Sequence, residues 1–307
     1  MTTVVTEGPL ASAQAGLVLE LASAARAADG VAPLSEQTVL HVQHGASPGS
    51  GGRDWVVTVA DGGVVGYAHL DPPEDSGTAG GVLSGELVVH PAHRRRGYGT
   101  ALVSALTAAA GGHGIRIWAH GDLPAAAELA KATGFTRARE LWQLLLPAGV
   151  PVPGPVLPAG VTLRTFVPGA DEEAWLTVNR RAFAHHPEQG GWTREDLELR
   201  ESEPWFDPAG FFLAERDRRL VGFHWTKVHP SGATDDGPIG EVYVVGVDPA
   251  AHGGGLGKAL TVAGLAHLRA RGLAEIMLYV DGDNTPATRL YKGLGFRPWH
   301  SDVMYQR

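Results

Sequence analysis

The sequence predicts an α/β protein, an α+β mixed sheet built as two tandem domains of one design. Three observations carry that expectation. A strand, glycine loop and helix start occur twice, 158 residues apart; a two-strand hairpin precedes each copy; and a proline-rich break lies between them.

The first loop reads Pro91-Ala-His-Arg94-Arg95-Arg96-Gly97-Tyr98-Gly99, and the second Pro249-Ala-Ala-His252-Gly253-Gly254-Gly255-Leu256-Gly257. Each follows an apolar, strand-like run, Glu86 to His90 and Val242 to Val247, and each opens an amphipathic pattern of helical period. The hairpins are Asp54 to Tyr67, turning at Asp61-Gly62-Gly63, and Gly210 to Phe223, turning at Arg216 to Arg219. Further on, strands Gly114 to Trp118 and Glu275 to Val280 correspond, as do Lys131-Ala-Thr-Gly134-Phe135 and Lys292-Gly-Leu-Gly295-Phe296. Offsets of 156, 158 and 161 residues mark a duplication. Each half therefore reads as helix, hairpin, strand, glycine loop, helix, strand, helix, strand.

Pro147, Pro151, Pro153, Pro155 and Pro158 are incompatible with a helix or a central strand. The expected boundaries are a first domain at 1–146, an exposed linker at 147–160 and a second domain at 161–307.

Composition narrows the function classes. Hydrophobic residues at 44% and charged residues at 19% belong to a globular chain rather than a disordered one. A net charge of -8 argues against a nucleic-acid binder that works by neutralising phosphates. The absence of cysteine excludes disulfides, thiolate metal ligands and a cysteinyl acyl-enzyme. No apolar window reaches the length of a membrane span, and no leader pattern opens the chain, so a cytoplasmic enzyme or binding protein is expected.

Glycines let a backbone approach phosphates closely, and the unsatisfied N–H groups of a helix start point at them. Two familiar phosphate loops fail here. Gly257-Lys258 is followed by Ala259 rather than a hydroxyl residue, and His252 stands where the Walker loop needs its first glycine. Neither loop supplies the dinucleotide fingerprint. A glycine turn without a ligand is the plain alternative, weakened by the loop's recurrence in the same context.

The pattern that fits is Arg/Gln-x-x-Gly-x-Gly/Ala. Arg94-x-x-Gly97-x-Gly99 matches it fully, and His252-x-x-Gly255-x-Gly257 departs at its first position. In this the sequence resembles the GCN5-related N-acetyltransferase (GNAT) superfamily, acyl-CoA N-acyltransferases. A closer resemblance, to the tandem-GNAT mycothiol synthase family, covers essentially the whole chain. It rests on the tandem layout and on Ala182-Phe-Ala-His-His-Pro-Glu188, Gly222-Phe-His-Trp-Thr-Lys227, Gly240-Glu241-Val-Tyr-Val-Val-Gly-Val247 and Leu278-Tyr279-Val-Asp-Gly-Asp-Asn284.

The resemblance implies an enzyme that moves acetyl from acetyl-CoA to the cysteinyl amine of a cysteinyl-glucosaminyl-inositol by direct attack. Because a duplicated fold already supplies its own partner, a monomer is expected. It implies acetyl-CoA contacts in the first half at Leu87, Val88, Val89, Arg95, Arg96, Gly97, Tyr98, Gly99 and Thr100. In the second half it implies Val245, Gly246 and Val247; His252, Gly253, Gly254, Gly255, Leu256, Gly257 and Lys258; and Asn284, Thr285, Pro286, Ala287, Thr288 and Arg289. For the acceptor it implies Glu36, Glu188, Lys227, Glu241 and Tyr279, with Ser35-Glu36 equally readable as a helix cap and first turn.

Acetyl transfer needs a proton acceptor for the amine and a proton donor for the leaving thiolate. Glu241 and Tyr291 are the candidates, and by the sequence offsets their counterparts are Leu83 and Ala130. Asn284 likewise corresponds to Leu123. Catalysis is therefore expected in the second half, with the first half able to bind acetyl-CoA but not to turn it over. No metal is expected: His185-His186 and His41-x-x-His44 lack a third ligand of convincing spacing, and Asp281-Gly-Asp283-Asn284 lacks the glycine and closing glutamate of a calcium loop. The rivals are a tandem GNAT acting on another amine and a CoA-binding regulatory protein without turnover.

Overall fold

The computed structural model describes residues 4–45, 52–60, 62–72, 81–234 and 237–307; for residues 187–188 and 231–234 it describes the backbone only. Two compact units result, one comprising Met1–Leu141 with His300–Arg307, the other Trp142–Trp299.

The first unit runs β1 (Val4–Glu7), α1 (Ser12–Asp29), α2 (Glu36–His44), β2 (Arg53–Thr58), β3 (Val64–Leu70), β4 (Leu83–Val89), α3 (Tyr98–Ala109), β5 (Ile115–Ala119), α4 (Pro124–Ala132) and the first part of β6 (Thr136–Leu146). The second runs from the end of β6 through β7 (Val161–Thr165), α5 (Glu172–Ala182), α6 (Pro187–Gly190), α7 (Arg194–Glu201), β8 (Phe211–Arg216), β9 (Arg219–Thr234), β10 (Gly237–Val247), α8 (Leu256–Ala270), β11 (Ile276–Asp281) and α9 (Thr285–Gly293). The last strand, β12 (Arg297–Gln306), returns to the first unit.

Sheet order in the first unit is β1-β2-β3-β4-β5, followed by β12; in the second it is β6-β11-β10-β9-β8-β7. The β4–β5 and β10–β11 pairs are parallel and the hairpin pairs antiparallel, the mixed sheet expected. Each parallel pair is joined through a helix, α3 or α8.

The sheet face under α3 buries Leu102, Val103 and Leu106 with Leu83, Ile115 and Ile117. The face under α1 and α2 buries Val18, Leu21 and Val42 with Val56, Tyr67 and Val88. In the second unit, Val262, Leu265 and Leu268 of α8 pack with Val242, Leu278 and Tyr291. The opposite face carries an aromatic core around Trp175, Phe211, Phe223 and Trp225, with Phe211 stacked on Trp225 at 4.5 Å.

Two expected boundaries differ. Residues 300–307 belong to the first unit because Val303–Gln306 pair antiparallel with Arg116–Ala119 of β5, while Trp142–Leu146 belong to the second. The segment expected as an exposed linker is largely exposed, but its first residues are held against the second unit. Val150 and Val152 pack on its core, and Arg269 donates to the Pro147 carbonyl at 2.8 Å. No helix among the described residues is long and apolar enough to cross a membrane.

Candidate active site

In the second unit β10 is not regular. Val242 pairs with Thr226 and Val244 with Trp225, so Tyr243 is an extra residue, a β-bulge. The bulge puts Val242 and Val245 on the α8 face and turns Glu241, Tyr243 and Val244 to the aromatic face. Pairing with β11 covers only Gly240 to Val242, and β10 runs on past it through Val245, Gly246 and Val247. A strand that outruns its parallel neighbour presents backbone groups to an extended ligand.

The strand leads into the glycine loop. Gly253, Gly254 and Gly255 all have left-handed backbones, with φ of 90°, 62° and 81°, and Gly255 caps α8. Side chains rarely adopt this conformation, so three successive glycines are what let the chain coil round the start of α8. His252 Nε2 lies 3.2 Å from the Val247 carbonyl. In the first unit Arg94 Nε donates to the Val89 carbonyl at the same distance, 3.2 Å, and its guanidinium clasps Asp29 at 2.7 and 2.6 Å. The departure at the first motif position thus keeps the same contact to the strand end. Lys258 is exposed on the first turn of α8.

Glu241 is 5% exposed, and its carboxylate accepts a hydrogen bond from His229 Nε2 at 2.7 Å. Burial alone would raise its pKa; the His229 hydrogen bond, with the charges of His229 and Lys227, outweighs that and holds it below the usual carboxylate value. Lys227 stands opposite Glu241 in the β9–β10 register and lies over the rings of Trp205 (4.1 Å) and Tyr243 (5.1 Å). Arg200 of α7 donates to the Tyr243 hydroxyl at 2.9 Å and covers Trp192. Met277 is Glu241's partner on β11, so Tyr279, two residues on and 44% exposed, projects from the same face. His186 Nδ1 is 3.5 Å from Asp281 Oδ2, which joins the His-His-Pro-Glu segment to β11. Among the expected acceptor residues, then, Glu241, Lys227 and Tyr279 share one sheet face. Glu188 lies in α6, its side chain outside the described residues. Glu36 lies in the first unit, in the first turn of α2, whose cap is Ser35 accepting from Thr38 N at 3.2 Å.

Tyr291 is on the other face. It packs edge-on to Phe296 at 5.6 Å in the α8 core, and burial raises its hydroxyl to about 12. Asn284 caps α9 by accepting from Ala287 N at 3.1 Å; Thr285, Pro286, Ala287, Thr288 and Arg289 form the opening of that helix.

The first unit has a cavity of about 540 Å³ lined by Leu87, Val88, Val89, Arg95, Gly97, Tyr98, Gly99 and Thr100, with Trp118, Leu123, Ala130 and Tyr305 completing its wall. Arg96 instead donates to the Ala92 carbonyl, 3.3 Å away. The pairing also corrects one equivalence. Glu241 pairs with Lys227 and Met277; at the 156- and 161-residue offsets these fall on Asp71 and Arg116, which flank Ser84 rather than Leu83. The bulge residue Tyr243 accounts for the shift of one.

His41 does not join His44. His41 Nε2 and His69 Nδ1 both meet the Asp54 carboxylate, at 2.9 and 2.8 Å, and the Tyr67 hydroxyl donates to it at 2.7 Å. Sequence reasoning missed this cluster, as it missed His229, because the partners come from neighbouring strands and a helix rather than from one motif.

Comparison with known proteins places the fold and the family. The profile of the Acetyltransferase (GNAT) family matches residues 175–296, and that of the Acetyltransferase (GNAT) domain matches residues 51–137. Among solved structures, the chain resembles a GCN5-related N-acetyltransferase from Sphaerobacter thermophilus (TM-score 0.70, 27% identity, 99% of this chain and 95% of that one). It also resembles a tandem GNAT protein from the clavulanic acid biosynthesis pathway (TM-score 0.73, 22% identity, 99% and 98%), a likeness of fold. The mycothiol acetyltransferase of Thermobispora bispora is 59% identical over 94% of this chain and 95% of its own length. That of Thermomonospora curvata is 57% identical over 97% and 95%. With its two GNAT domains and this likeness along nearly its whole length, the chain belongs to the mycothiol acetyltransferase family.

Proposed function

We propose that this protein transfers acetyl from acetyl-CoA to the cysteinyl amine of 1D-myo-inositol 2-(L-cysteinylamino)-2-deoxy-glucopyranoside, giving mycothiol and CoA, and that the second unit performs the reaction. The observation that carries the assignment to this unit is the buried Glu241 carboxylate, at a register position where the first unit has Ser84, on a strand that leads into the Gly253–Gly255 loop. The loop, the α8 start and Val245 to Val247 suit a pyrophosphate with an extended arm, and Lys227, Glu241 and Tyr279 suit a polyol acceptor bearing an amine.

In the reaction the amine nitrogen attacks the thioester carbonyl, forming N–C and breaking C–S. The ammonium proton passes to Glu241, directly or through a water, and the leaving thiolate takes a proton from Tyr291. A carboxylate held ionised is ready to accept; a phenol raised to about 12 keeps its proton until a developing anion draws on it. A backbone N–H near Val245 polarises the carbonyl. No metal enters this scheme.

The first unit keeps a loop and a cavity but has Ser84 at the base position and Ala130 at the acid position, which supports binding of acetyl-CoA without turnover. We read the protein as a cytoplasmic monomer, its duplicated fold supplying both copies in one chain. Release of CoA thiol, measured with the cysteinyl-glucosaminyl-inositol beside a panel of other amines, tests the assignment. A clear preference for this acceptor supports it, and equal or better rates with unrelated amines contradict it.

A further inference from the structure

We propose that His229 is the positioning residue of the acetyl-transfer base, acting only through Glu241. The inference rests on the reading that Glu241 accepts the amine proton. His229 sits two residues beyond Lys227 on β9, pairs with Ile239, and so projects from the sheet face that carries Glu241. Its Nε2 donates to Glu241 Oε2 across the diagonal at 2.7 Å. The pair is asymmetric: the Glu241 side chain is 7% exposed and that of His229 27%.

A long carboxylate side chain in a buried setting has two needs. It must be held in one rotamer, and its charge must be compensated. Lys227 meets the second in part, but its ammonium is already engaged over Trp205 and Tyr243. The imidazole meets both, and the hydrogen bond it makes occupies Oε2. Among the described residues, the charged or titratable groups on this face include Arg200, bound to the Tyr243 hydroxyl, Tyr279 and Asp281 of β11, His186 beside Asp281, and, on the helices packed over it, Glu172 of α5 and Glu201 of α7. In the first unit the position corresponding to Glu241 is Ser84, and the histidine-held carboxylate of that strand is Glu86, two residues further on, facing His120 at 3.6 Å.

The test is steady-state CoA-thiol release against pH for the wild type, His229→Phe, His229→Gln and Glu241→Gln, with folding checked by circular dichroism. For His229→Phe we expect kcat to fall roughly ten- to a hundred-fold, with the KM for acetyl-CoA within about twofold. The acidic limb of kcat/KM moves to higher pH, because less opposes the burial of Glu241. His229→Gln, whose amide N–H reaches the same carboxylate oxygen, restores most of kcat. Wild-type kcat and pH profile in His229→Phe, beside an inactive Glu241→Gln, overturn the inference and leave the base assignment standing. An active Glu241→Gln removes the base assignment itself. If His229→Phe does not fold, His229→Gln decides: a folded protein with the full loss of rate overturns a role through hydrogen bonding.

Discussion

Glu241 of β10 and Ser84 of β4 hold the same place in the pairing registers of their two sheets, facing Lys227 and Met277 in one unit and Asp71 and Arg116 in the other. The chain has thus kept one backbone plan twice while placing a carboxylate at this register position in only one copy; the buried carboxylate of the first unit, Glu86, stands two residues further along β4 and meets His120. The opposite cross-strand partners, Lys227 and Asp71, reverse the local charge as well.

Tyr291 is the second group that the first unit lacks. Replacing it with Phe removes the hydroxyl while keeping the ring contact to Phe296. The expected result is a fall in kcat of about 10²-fold with a melting temperature close to wild type, read by thiol release and thermal scanning. A variant of undiminished kcat places the proton donor elsewhere.

His252 and Arg94 make equivalent contacts to the ends of their strands. His252→Ala should loosen the loop and raise the KM for acetyl-CoA by about five-fold with little change in kcat, whereas His252→Arg retains affinity. Equal KM values in all three proteins would show that this contact does not shape the loop.

Gly264 of α8 packs directly on the buried imidazole of His224, and a Cβ there would overlap the ring. Gly264→Ala should destabilise the second unit by about 1–3 kcal/mol, despite alanine's better helix propensity, as measured by denaturant titration. The exposed Gly293, with open space around it, is the control.

The two units should respond to pH in opposite directions. Burial lowers His224 from 6.5 to about 4, its Nδ1–H donating to the Leu260 carbonyl in partial compensation. Its neutral form is favoured in the fold, so stability is complete above pH 6.5 and falls by about 3 kcal/mol as pH drops towards 4. His120 is the reverse. Burial alone would lower it, but Asp302 at 3.1 Å and Glu86 at 3.6 Å outweigh that and raise it to about 10. Its contribution is complete below pH 6.5 and is lost as pH rises towards 10. Melting curves from pH 4 to 10 should therefore show an acid slope reduced by His224→Gln and an alkaline slope reduced by His120→Gln. The remaining alkaline slope belongs to His69, which burial would lower but Asp54 and Asp71 raise to about 9. Unchanged slopes in those variants assign the pH dependence to other groups.

Much of this was legible in the sequence, for physical reasons that differ by element. The glycine loops announce themselves because successive left-handed positions restrict the residue type, as at Gly253 to Gly255. The hairpins and α8 follow from local periodicity. The Glu241 counterpart was misread by one residue because the bulge at Tyr243 changes spacing without leaving a pattern of its own. The destination of β12 depends on which strand accepts Val303 to Gln306, a long-range choice that no local signal records. His229 was missed for the same reason: its meaning lies in a diagonal contact, twelve residues distant in sequence.

The most direct measurement is CoA-thiol release by Glu241→Gln with the cysteinyl-glucosaminyl-inositol as acceptor, followed across pH. The account predicts a folded protein with kcat reduced by about 10²–10⁴-fold and a KM for acetyl-CoA close to wild type. Turnover at the wild-type rate across the pH range would contradict the placement of the reaction on Glu241 and in the second unit.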